Sequence, residues 1–109
     1  MLKSFVGVVA AVAGLSVTPA LAQDTKLTFM LDFISLGRHA PWYVALDKGF
    51  FAEEGLNVEI LPSKGTADAI RGVVTGLAPV GLIDVPSLVA AGPAASDIKI
   101  VASAYVEAP

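Results

Sequence analysis

The chain has no cysteine and a single histidine. Without thiols there is no disulfide framework and no thiolate metal site. One histidine also rules out a two-histidine metal site or a His-Cys catalytic pair within this chain, so no metal or cofactor is expected. No G-x-S-x-G elbow is present, and the glycine and Lys-Ser/Thr spacing of a phosphate-binding P-loop is missing. Charge is sparse: charged residues make up 16% of the chain, and acidic ones outnumber basic ones ten to seven. Phosphate contacts need clustered Lys and Arg, so nucleic acid is not an expected partner.

What is present begins with an export pattern. Lys3 gives a positive charge, Phe5 to Leu15 is almost wholly apolar, and Thr18-Pro19 breaks the run. Ala20-Leu21-Ala22 then has the small-x-small form of a cleavage site. Residues 1–22 read as a secretory signal peptide cut after Ala22. A membrane anchor is the weaker reading, because the apolar run falls short of the roughly 20 residues that span a bilayer. No paired arginines occur, which points to the general secretory route. With no cysteine to carry a lipid, the expected product is free in the periplasm. Losing Lys3 leaves six basic residues against ten acidic ones. At the other end the sequence stops at "IVASAYVEAP", just after an apolar run. Residues 23–109 are therefore expected to be the first part of a longer protein.

Hydrophobic periodicity supplies the elements. "KLTFMLDF" (26–33) alternates as a strand, and Met30 on its second face implies cover on both sides. Pro41 suits a helix start, with the helix running to Lys48 and Gly49 as its left-handed stop. "FFAEEG" is a short turn, and "NVEIL" (57–61) a second strand. Thr66 is a candidate N-cap for a helix whose stripe is Ala67, Ile70, Val74 and Leu77, with Val73 beside it, ended near Gly76. Residues 79–83 form a short apolar strand, Pro86 opens a helix to Ala91, and 98–106 reads as a fourth strand. The fold class is α/β. The order β-α-β-α-β-α-β predicts a parallel sheet with helices on both faces.

In such sheets ligands bind beyond the carboxyl ends of the strands, beside helix N-termini. Three loops fall there: Asp32 to Ala40, Ser63 to Thr66 and Asp84 to Ser87. His39 is either a ligand donor and acceptor or a capping residue. Arg38 is either an anion partner or a solvated side chain. Trp42 and Tyr43 point about 100° apart on a helix, so one faces the sheet and the other the crevice; Trp42, nearer the helix start, is expected on the ligand side. "SKGTAD", with Ser63, Gly65 and Thr66, reads as an anion nest or an ordinary capped loop. Asp32 and Asp84 are each suited to a ligand amine or to capping the helix that follows.

The run "GRHAPWYVALDKGFFAEEGLNVEI" (37–60) resembles the start of periplasmic solute-binding proteins of ABC importers, in the NMT1/THI5-like group. The histidine, the aromatic pair and G-F-F-x-x-E-G-L carry the likeness. The resemblance implies a type II binding protein of two lobes, with this chain as the first part of lobe one. It implies a monomer that is not an enzyme and that works with an ABC permease and ATPase. The implied solute is small, either a heteroaromatic such as a thiamine pyrimidine precursor or a nitrate, sulfonate or taurine-type anion. Gly37 stands where the pyrimidine-precursor branch carries asparagine, and Pro41-Trp42 replaces its glycine-containing pair, which leaves the solute open. The competing reading is a hydroxymethylpyrimidine phosphate synthase-like enzyme, whose motif histidine His39 matches. The ligand-side residues expected from all of this are Asp32, Arg38, His39, Trp42, Ser63, Gly65, Thr66 and Asp84.

Overall fold

A computed structural model describes residues 24–105. The proposed signal peptide and cleavage point lie outside the described residues. Strand β1 (Thr25–Met30) is central, with β2 (Leu56–Leu61) on one side and β3 (Val80–Gly81) on the other, both parallel to it. The register pairs Leu27 with Val58 and Phe29 with both Ile60 and Val80. Backbone bonding continues past the strand ends: the Leu31 N–H donates to Leu61 O and the Leu82 N–H to Met30 O, each at 2.8 Å. Helices α1 (Ala40–Asp47) and α2 (Phe50–Glu53) link β1 to β2, α3 (Thr66–Val74) links β2 to β3, and α4 (Val85–Ala91) follows. The α/β class with an all-parallel sheet is as the sequence implies.

The alternation in β1 divides the core into two. Phe29 and Leu31 form one buried cluster with Val58, against which Trp42, Tyr43 and Phe51 from α1 and α2 pack. Met30 faces the other way and is buried with Ala69 and Ala78, beneath α3. Both faces of the sheet are thus covered, as Met30 indicated. Gly49 takes φ 76° between α1 and α2, a conformation that favours glycine and turns the chain back toward β2.

Three expectations need correction. The buried face of α3 is Ala69, Ile70 and Gly72, while Val74 and Leu77 are exposed. The cause is Gly72: a Cβ there would stand 2.3 Å from Met30 Sδ, so the missing side chain is what lets α3 press on the sheet. Of the expected stripe Ile70 is buried and Val73 beside it is half-buried, whereas Ala67, Val74 and Leu77 lie off the buried face. Second, Thr66 is the first residue of α3 and Gly65 is its N-cap, without a side-chain cap bond. Third, residues 98–105 form no strand, and Ile100 and Val101 are exposed. β3 has only two paired residues, which leaves a short ladder for a further strand to join.

Gly72 and Gly37 make a matched test. Gly37 has open space around its Cβ position. Gly72→Ala is expected to destabilise by about 1 kcal/mol net, with overpacking outweighing the gain in helix propensity. Gly37→Ala is expected to be neutral or stabilising by a few tenths of a kcal/mol. Urea unfolding of both variants measures the contrast; equal effects would contradict the close approach of α3.

Candidate functional site

The three loops do meet at one rim. The connection after β1 bends at Asp32 and enters a short 3₁₀ turn, Gly37–His39. The connection after β2 touches it, since the Ser63 N–H donates to Phe33 O at 3.3 Å. Asp32, Arg38, Leu82, Ile83, Asp84 and Tyr105 line one cleft of about 230 Å³. A larger hollow of about 320 Å³ lies between α3 and α4, lined by Ala67, Ile70, Ser87, Ala90 and Ala91. It holds no ionisable side chain, so the rim cleft is the chemical candidate.

Asp32 organises this rim. His39 Nε2 stands 2.7 Å from Asp32 Oδ1, and Arg38 Nη2 donates to Asp32 Oδ2 at 3.0 Å. The tautomer of His39 follows from its other nitrogen. The Leu36 N–H donates to Nδ1 at 3.0 Å, so Nδ1 is an acceptor and the ring proton sits on Nε2. Nε2–H therefore donates to Asp32. His39 is 0% exposed, whereas the Asp32 side chain keeps 20% of its surface open. A carboxylate has about four acceptor positions. His39 takes one from the buried side and Arg38 one from the exposed side, while Asp32 itself lines the cleft.

Asp84 is the second carboxylate. It is the N-cap of α4 and accepts the Ser87 N–H at 2.8 Å. The Thr66 hydroxyl, and after it the Ser87 amide, hold its carboxyl below the ordinary aspartate value. That influence ties the start of α3 to the end of β3. Among the described residues Asp84 forms no ion pair.

The Ser63 loop is occupied with itself. Ser63 is buried, accepts the Gly65 N–H at 3.2 Å and donates to Gly65 O at 3.1 Å. Asp68 accepts the Lys64 N–H at 3.2 Å. Two amides that would make an anion nest are thereby spent within the loop. Of its three candidates, only Thr66 reaches toward the cleft, through Asp84.

The aromatic pair is arranged differently from expectation. Trp42 lies edge-on to Phe29, with ring centroids 5.1 Å apart, and packs on the core cluster. Its Nε1 is buried and has no hydrogen-bond partner among the described residues. The body of Tyr43 packs on the same cluster, but its hydroxyl lies 2.6 Å from Ser35 Oγ in the rim loop. The angular step along α1 swings Trp42 inward, despite its place nearer the helix start. His39 likewise stands behind the rim rather than on it. Sequence reasoning did not reach Tyr105, whose hydroxyl donates to Arg38 O at 3.1 Å. Nothing in the spacing of the chain links positions 38 and 105. Among the described residues no cluster of His, Cys, Asp or Glu could hold a metal ion, and no helix is long and apolar enough to cross a membrane.

Known proteins share this sequence in part. A family model described as NMT1/THI5 like matches residues 37–109. The formylaminopyrimidine-binding protein of Halalkalibacterium halodurans is 35% identical over 77 residues, which is 71% of this chain and 23% of that protein. The 4-amino-5-hydroxymethyl-2-methylpyrimidine phosphate synthase of Aspergillus parasiticus is 36% identical over 56 residues, 51% of this chain and 16% of that enzyme. The chain thus spans less than a quarter of either relative's length.

The Asp84 network gives a pH prediction. Its folded pKa is lowered, so its stabilising contribution is complete above the unfolded value of 3.8 and is lost as pH falls through the lower folded value. Carboxyl ¹³C titration should place the Asp84 midpoint below 3.8, and Thr66→Val should raise it. A midpoint unchanged by that substitution would remove Thr66 from the network.

Proposed function

The chain belongs to the NMT1/THI5-like family, and on that premise we propose that it is the first part of lobe one of a periplasmic solute-binding protein that feeds an ABC importer. It captures a small planar solute rich in hydrogen-bond donors, an aminopyrimidine of the thiamine-precursor type. Loaded protein delivers that solute to a permease driven by an ATPase. The protein acts as a monomer after export and removal of residues 1–22.

The observation that carries this reading is the charge of the cleft. It holds Asp32 and Asp84 against Arg38 alone, and Arg38 is already committed to Asp32. An anion such as nitrate or a sulfonate would meet a surplus carboxylate and a loop in which the Lys64 and Gly65 amides are already spent. An amino group on a heteroaromatic ring meets acceptors instead. Leu82, Ile83 and the ring of Tyr105 supply apolar surface for the ring faces. The pyrimidine named in both relatives agrees in chemical class.

The synthase-like relative keeps a second reading in view. The burial of His39 disfavours it here. An imidazole with no exposed surface and both nitrogens engaged is not offered to a substrate as a reacting group.

Calorimetry on the full-length protein tests the proposal. An aminopyrimidine should bind, and nitrate, taurine or an alkylsulfonate should not displace it. Asp32→Asn removes a charged acceptor and should weaken binding by about 1.5–3 kcal/mol, roughly ten- to hundredfold. Asp84→Asn keeps a capping side chain while removing charge, so it should weaken binding with little effect on α4. Tighter binding of a sulfonate than of the pyrimidine would overturn the reading.

A further inference from the structure

We propose that His39 is a positioning residue: a buried, Nε2-protonated imidazole that aims the Asp32 carboxylate into the cleft. This rests on the solute-binding reading above and assigns the histidine a role within it. Three features of its surroundings support this.

The first is the local turn. The His39 backbone N–H donates to Leu36 O at 2.9 Å, while the Leu36 N–H returns a bond to the His39 ring at Nδ1. Residues 36 and 39 are thus bonded to each other twice. The ring cannot rotate without breaking the second bond, and it cannot take a proton on Nδ1 while that bond persists. The second is burial. A side chain with no exposed surface cannot reach a solute, yet it touches Asp32, which remains partly open. The third is the division of labour on Asp32. Arg38 holds Oδ2 from the exposed side, with 37% of its own side chain open. His39 holds Oδ1 from the dry side and has nowhere to go. A charge-assisted bond of this kind, shielded from water, fixes the carboxylate's plane before the solute binds. Binding then spends little on ordering that acceptor.

No other residue type reproduces both bonds. Asparagine matches the acceptor at Nδ1 and loses the donor to Asp32. Glutamine reaches the position of Nε2 and can donate to Asp32, but it gives up the acceptor for Leu36. The two substitutions therefore separate aiming of the carboxylate from bracing of the turn.

The experiment uses the full-length protein and the probe 4-amino-5-hydroxymethyl-2-methylpyrimidine, named for the ring in the synthase relative. His39→Asn should weaken probe binding about tenfold, and His39→Gln should recover affinity to within about threefold of the unsubstituted protein. Both should lose thermal stability to a similar degree, since each breaks one bond of a buried side chain. Equal loss of affinity in the two variants would show a merely structural histidine and overturn the proposal. Long-range ¹H–¹⁵N spectra of the unsubstituted protein give an independent reading that needs neither variant nor ligand. They should show Nδ1 unprotonated and Nε2–H protected from exchange; a proton on Nδ1 would overturn the proposal. Failure of the unsubstituted protein to bind the probe would sink the pyrimidine reading, and the spectrum would still decide whether the ring grips Asp32 as described.

Discussion

The carboxylate of Asp32 is the point on which the rim depends. It sits one residue beyond the core residue Leu31, where the central strand gives way to loop. His39 and Arg38 converge on it from a turn six and seven residues further along the chain. The contact closes the first loop onto the strand that precedes it and sets where α1 begins. The exposed Arg38 contact is worth about 1 kcal/mol at most, as surface ion pairs are. The buried His39 contact is worth more, since hydrogen bonds to charged groups contribute about 1.5–3 kcal/mol. Removing Asp32 would leave the buried Nε2–H of His39 without an acceptor, which costs more than the bond itself provides, whereas Asp32 without His39 keeps its contact with Arg38.

The sheet holds this arrangement in place through two unlike surfaces. On one face aromatic rings do the packing, with Trp42 against Phe29 and Phe51 beside them. On the other, small residues allow close approach, with Gly72 and Ala69 admitting the Met30 side chain. The first face fixes α1 and with it the turn that carries His39. The second fixes α3, whose first residue, Thr66, reaches Asp84. The two carboxylates of the cleft are therefore positioned from opposite sides of one sheet. Their shared location follows from β1 lying between β2 and β3, with all three strands ending at the same edge.

Much of this was legible in the sequence, for physical reasons that also mark where legibility stopped. Alternation along residues 26–33 identified β1 and its two covered faces, because side-chain direction in a strand follows directly from position. Proline at 41 and 86 marked helix starts, because a missing N–H costs nothing there. The Asp84 cap follows the same logic. The α3 stripe is right at Ile70 and wrong at Val74 and Leu77, because periodicity counts large apolar residues and takes no account of a gap that a sulfur fills. Trp42 went astray because its angular position on α1, not its nearness to the helix end, decides what it faces. The apolar run at 98–105 forms no strand, because β-forming residues without a partner ladder do not make one. The burial of His39 was not readable at all. A histidine before a helix has the same appearance in sequence whether it lines a cleft or braces it from behind.

The chemical consequence is a cleft biased toward ligands that donate. Its single arginine is paired, its two carboxylates share space with Leu82, Ile83 and Tyr105, and the neighbouring glycine loop has turned two amides inward. That bias is what separates an aminopyrimidine from an oxyanion at this rim. The most direct measurement follows the side-chain carboxyl ¹³C resonances of Asp32 and Asp84 during titration with an aminopyrimidine and, separately, with a sulfonate. Both resonances should move together and saturate with the pyrimidine, and neither should move with the sulfonate. Saturable shifts with the sulfonate, centred on the amides of Ser63 to Thr66, would contradict an acid-lined, donor-seeking cleft.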